Sequence, residues 1–103
     1  MAIYDVEDWS SESQIAPAAG LAPSDLTVDA AAQRIAGLTG QLSIALLADP
    51  GNGGTVYVAA SSGVTSSSWP LAAGAYLSMD TSADVWVIGS ASGQVLHVIQ
   101  ATA

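Results

Sequence analysis

The chain has 103 residues, enough for one small domain, and half of them are apolar, so a core can form. Only 10% are charged, and nine carboxylates face a single basic residue, Arg34, for a net charge of −8. One guanidinium cannot displace the counterions of a phosphate backbone or hold an anionic lipid surface, which excludes nucleic acid and membrane as partners. With no cysteine, disulfides and thiolate metal sites are excluded as well. The place of the missing ions is taken by Ala, Ser, Gly and Thr, a surface that desolvates cheaply against other protein.

Residues 1–23 read as an acidic arm. MAIYDVEDW has neither the basic start nor the apolar run of a secretory signal, so no export signal is expected. Pro17, Gly20 and Pro23 follow at a density that breaks regular structure. Plain tails seldom hold the apolar bulk of Ile3, Tyr4, Val6 and Trp9. Together with Asp5, Glu7 and Asp8, these residues are the candidate partner-binding segment of an arm that orders on its partner.

Residues 24–103 read as the folded domain. Residues 24–38, SDLTVDAAAQRIAGL, allow two readings. Val28, Ala31, Ala32 and Ile35 fit a helical face, with Ser24 or Asp25 as cap and Gly37 as stop. The other reading is a strand at LTV, a small-residue bend, and a second strand near QRIAG. Alanine buries little area, so the helical face is thin, but the residues alone leave both readings open.

QLSIALLA (41–48) is an apolar run of strand length. DPGNGG (49–54) is dense turn chemistry, and TVYVAA after it is rich in β-branched and aromatic residues. These two strands are expected to pair antiparallel through the 49–54 loop. SSGVTSSS is a loop with Val64 as a short pairing point, and WPLAAG is a corner around Pro70 and Gly74. AYLSM, VWVIG and QVLHVIQ are three more strands, separated by the turns DTSAD and SASG. Five runs joined by short turns predict an all-β fold, a small antiparallel β-sandwich or barrel-like domain preceded by the extended arm.

The search for chemistry yields little. His97 is the only histidine and shares a strand face with Val95 and Ile99. One histidine without a flanking motif specifies no catalysis, and a half-buried ring bonded to a backbone carbonyl is expected. Asp80 and Asp84 bracket a turn, where aspartates cap their own backbone. Neither DPGNGG nor DVEDW supplies the ligand spacing of a calcium loop, and GNGG lacks the lysine and helix start of a phosphate loop. No enzyme activity, metal or other cofactor is assigned. Trp86 alternates with Val85 and Val87 and reads as packing, in the core or between subunits. The uncharged stretch 55–74 holds Tyr57, Val64, Trp69, Pro70 and Leu71, the candidate subunit or partner interface.

Asn52, Gly54-Thr55-Val56-Tyr57-Val58, Gly63-Val64-Thr65, Pro70-Leu71 with Gly74, Val85-Trp86-Val87-Ile88, Gly93 and the run Val95 to Ile99 form one ordered pattern over residues 26–100. It resembles a module common in structural proteins of tailed bacteriophages. In that family the stretch before the Asn turn is extended, so the resemblance implies the extended reading of residues 24–38, which is preferred on that ground. Trp69, where a small residue is expected before Pro-Leu, and Ala59-Ala60, where Gly commonly follows, depart from it. The resemblance implies a β-sandwich on the virion, a capsid decoration (cement) protein or the base of a head fibre. Its partner would be the major capsid protein of the same phage, gripped by the arm. Its place would be the capsid surface, after assembly in the host cytoplasm. Such proteins are often homo-oligomers, with a trimer favoured. The alternative function is a carbohydrate- or receptor-binding module on a fibre or tail, with Trp69 stacking on sugar.

Overall fold

The computed structural model of the protein describes residues 20–103 and contains eight strands there, with no helix. They are β1 (Gly20–Val28), β2 (Gln33–Ile35), β3 (Gln41–Ala48), β4 (Val56–Ala59), β5 (Trp69–Leu71), β6 (Tyr76–Met79), β7 (Val85–Gly89) and β8 (Gln94–Thr102). One sheet has the order β1-β8-β3-β6 and the other β2-β7-β4-β5, and all pairings are antiparallel.

The topology follows from one long folded ribbon. The β1 strand pairs with β8, β2 with β7, β3 with β6 and β4 with β5, as in a hairpin whose tip is the loop between β4 and β5. Rolling that ribbon adds the pairs β3–β8 and β4–β7 and divides it into two packed sheets. This is a jelly roll, a two-sheet architecture whose edge strands here are β1, β6, β2 and β5, all but β1 of three or four residues.

The β4–β5 connection is thus the only one between consecutive strands of the same sheet. Residues 49–55 therefore do not close a hairpin between β3 and β4, as the turn chemistry had suggested; they carry the chain from one sheet to the other. Asn52 fixes that crossing. Its Nδ2 donates to the carbonyl of Val95 (2.9 Å), and its Oδ1 accepts the Val95 N–H (2.8 Å). The side chain takes the place of one further residue of β3 beside β8.

The inward rows show the period of two that strands require. Val85, Val87 and Gly89 are buried on β7, and Gln94, Leu96, Val98 and Gln100 on β8. Ile44, Leu46, Val28, Val56, Val58 and Leu71 complete the core with them. Glutamines close its two ends. Gln100 Nε2 donates to the Ala36 carbonyl and to Gln41 Oε1, both at 2.8 Å, and Gln94 Oε1 accepts the Gly54 N–H. Buried amides paired in this way avoid the cost of orphaned polar groups.

The extended reading of residues 24–38 holds: β1 ends at Val28 and β2 begins at Gln33, in different sheets. The arm boundary moves. Strand β1 starts at Gly20, so Gly20–Pro23 belong to the sheet, paired with Thr102–Ile99. Pro23 is tolerated because β1 is an edge strand, where one missing donor leaves no ladder broken. Trp69–Leu71, expected as a corner, is a strand. The turn after it needs Gly74, whose φ of +82° is a conformation that side chains disfavour.

Candidate functional site

The outward rows of the β1-β8-β3-β6 sheet make the most unusual surface among the described residues. Cross-strand register places Asp25, His97, Leu47 and Tyr76 in one row, and Pro23, Ile99, Ala45 and Ser78 in the next. Leu21, next to Ala101, extends the face toward the start of β1. Leu21 is 65% exposed and Tyr76 73%, with Leu47 and Ile99 exposed between them. A cleft of about 520 Å³ runs along this face, with Pro23, Ala45, Leu47, Tyr76, His97 and Ile99 in its lining. The outer face of the other sheet differs, since its large apolar residues Tyr57, Trp86 and Ile88 are half-buried. Arg34 is the cross-strand neighbour of Trp86, and its guanidinium lies 3.6 Å from Asp84.

At one end of the apolar face, His97 is held from both sides. Its Nδ1 lies 2.7 Å from Asp25 Oδ1 and its Nε2 2.8 Å from Asp49 Oδ1. An ionised carboxylate only accepts, so the two contacts are both hydrogen bonds only while both ring nitrogens donate, that is, while the ring is an imidazolium. The hydrogen bonds to Asp49 and then Asp25 raise the His97 pKa above its ordinary 6.5. The bond from His97, helped by the N–H of Gly51, holds Asp49 below its ordinary 3.8. With both nitrogens donating, the ring has no lone pair to take a proton from a nucleophile, so the cluster acts as a tie between segments. The carboxylates face opposite sides of the ring and do not converge. No group of three or more acidic or imidazole side chains among the described residues could hold a metal ion.

A second groove, of about 380 Å³, opens where the edges of β5 and β6 part. Trp69, 61% exposed, stands at its lip, with Val58, Leu77, Met79 and Val85 within and Thr81 and Asp84 at its polar margin.

Comparison of the chain with family models, with curated proteins and with solved structures finds no match.

The residues singled out from the sequence divide into three groups. Ile3, Tyr4, Asp5, Val6, Glu7, Asp8 and Trp9 lie outside the described residues. Trp69 and Pro70 are exposed, and Tyr57 is half-buried on the outer face opposite Pro70. Val64 and Leu71 are interior, at 3% and 2% exposure, and cannot form an interface. Val64 joins no strand; it anchors the β4–β5 loop, whose hydroxyls cap the loop's own N–H groups, as Ser68 Oγ does for Thr65. That explains how an uncharged loop stays hydrated and ordered.

Three other expectations change. His97 does lie on the face of Val95 and Ile99, but its partners are carboxylates and not a carbonyl. Asp84 caps no residue of its own turn: its Oδ1 accepts the N–H of distant Gly37 at 2.7 Å, while Thr81 caps the turn. The inward residues beside Trp86 are Val85 and Val87, which leaves Trp86 on the outside of the sheet. The apolar face of β1, β8, β3 and β6 went unnoticed because its members are scattered from Leu21 to Ile99. Alternation within each strand was its only sequence signal.

Proposed function

We propose that the protein is a non-enzymatic structural component of a tailed-phage particle. In this reading it is a decoration protein or head-fibre base that docks on the capsid shell through the outer face of the β1-β8-β3-β6 sheet. The observation that carries the reading is the set of exposed apolar residues Leu21, Leu47, Tyr76 and Ile99 on one sheet face, a surface of the kind that marks protein association. Charge chooses the kind of partner. The chain carries −8, and its lone Arg34 is beside Asp84, so a shell surface with Lys and Arg around an apolar centre is complementary. With this face given to the shell, self-association into the expected trimer uses other surfaces, Trp69 and Pro70 among them. The resemblance of residues 26–100 to phage modules supports the same reading, with the arm adding contacts to the shell.

The test is binding to purified empty shells of the phage that carries the protein. Leu21→Ser with Tyr76→Ser alters two well-exposed residues and leaves the core intact. Loss of two apolar anchors is expected to weaken binding at least about tenfold. Full occupancy by this folded double variant would refute docking by this face. Removal of residues 1–19 tests the arm, and the cut falls before Gly20 because β1 begins there.

The second reading, a glycan-binding module, is favoured by one observation, the exposed Trp69 beside an open groove. It requires the intact protein to bind a sugar and Trp69→Ala to lose it without unfolding. A blank glycan array removes it.

A further inference from the structure

We propose that Asp25, His97 and Asp49 form a proton-operated clamp that fastens edge strand β1, and with it the start of the folded chain, to the body of the sandwich. The three residues come from β1, from β8 and from the end of β3 where the crossing loop starts, separated by up to 72 residues in sequence. Strand β1 has a neighbour on one side only, β8. Beyond the ladder, Asp25 is the side chain by which β1 reaches an ionic partner.

The geometry requires two donors on the ring. Neutral imidazole has one N–H, so loss of the proton leaves a bare nitrogen lone pair against a carboxylate oxygen. One of the two contacts must then fail. Asp49 also receives the Gly51 N–H, and its side chain is 36% exposed against 72% for Asp25. The proton therefore stays between His97 and Asp49, and Asp25 lets go. Among the described residues Tyr76, beyond Leu47 in the same row, is the other titratable group on this face.

The pH window follows from the directions of the shifts. The His97 contribution is complete below its ordinary 6.5 and is lost as pH rises through its raised value. The Asp49 contribution is complete above its ordinary 3.8 and is lost as pH falls through its lowered value. Between those limits the clamp is closed. Raising the pH opens the Asp25 end and frees β1 to fray, while β3 and β8 keep each other's hydrogen bonds.

The test uses the isolated full chain, so its outcome is separate from that of shell docking. Heteronuclear NMR reads the protonation of both His97 nitrogens against pH, and native-state hydrogen exchange reads the protection of β1 amides relative to those of β3. The expected result is a His97 midpoint above 6.5 with both nitrogens protonated below it. Across that midpoint β1 protection falls several-fold, while β3 protection is unchanged. In Asp25→Asn the midpoint drops and the β1 step disappears. In His97→Gln, which offers no titration, the step is absent as well. A midpoint at or below 6.5, or a β1 step of unchanged size in either variant, overturns the clamp.

Discussion

Replacing Asn52 with alanine tests whether the crossing between the sheets is held by one side chain. Asn52 makes two hydrogen bonds with the backbone of Val95, at 2.8 and 2.9 Å, both partly buried. The Val95 carbonyl keeps a second donor in the N–H of Asp49, at 3.0 Å, but its own N–H loses the Asn52 acceptor. Two such bonds contribute about 1 kcal/mol each, so Asn52→Ala should cost about 2 kcal/mol. For a domain of this size that lowers Tm by roughly 8–16 °C. Thermal unfolding followed by circular dichroism measures it directly. A shift below about 3 °C would show that the loop is held by its backbone alone and that Asn52 is dispensable.

Two substitutions probe the core and the turns. Leu96 is fully buried, and Leu96→Ala should cost about 2–5 kcal/mol in urea unfolding, the range for a cavity that relaxes only in part. Gly74→Ala should cost about 1–2 kcal/mol, since its Cβ would meet no atom within 4 Å and only the positive φ resists it. Gly53→Ala, with equal space and no positive φ, is the matched control and should be near neutral.

The folded ribbon explains how a chain with one basic residue stays ordered. Apart from the His97 cluster and the Arg34–Asp84 pair, uncharged side chains do this work among the described residues: glutamine amides, the Asn52 amide and serine hydroxyls satisfy backbone groups in the loops and at strand ends. Such partners add little charge to the surface.

The sequence by itself determined the all-β class and the strands at QLSIALLA, VYVA, VWVIG and QVLHVIQ. Apolar and β-branched runs of strand length, bounded by turn residues, are a local property written in neighbouring residues, whereas residues 24–38 fit both helix and strand until sheet pairing decides. Tertiary structure decided what no local pattern encodes. Asp-Pro-Gly-Asn-Gly-Gly is fit for a hairpin, yet β3 finds β6 and β8, because rolling the ribbon packs the inner faces of two sheets on each other, whereas a lone hairpin leaves its apolar face uncovered. Leu71 and Val64 sit in an uncharged stretch that looks like surface from its composition, and rolling turns them inward. His97 sits on an outward row that alternation alone identifies, but Asp25 and Asp49 reach it only because β8 lies beside both β1 and β3. Strand patterns are set residue by residue; which edges meet is set by the packing of the whole chain.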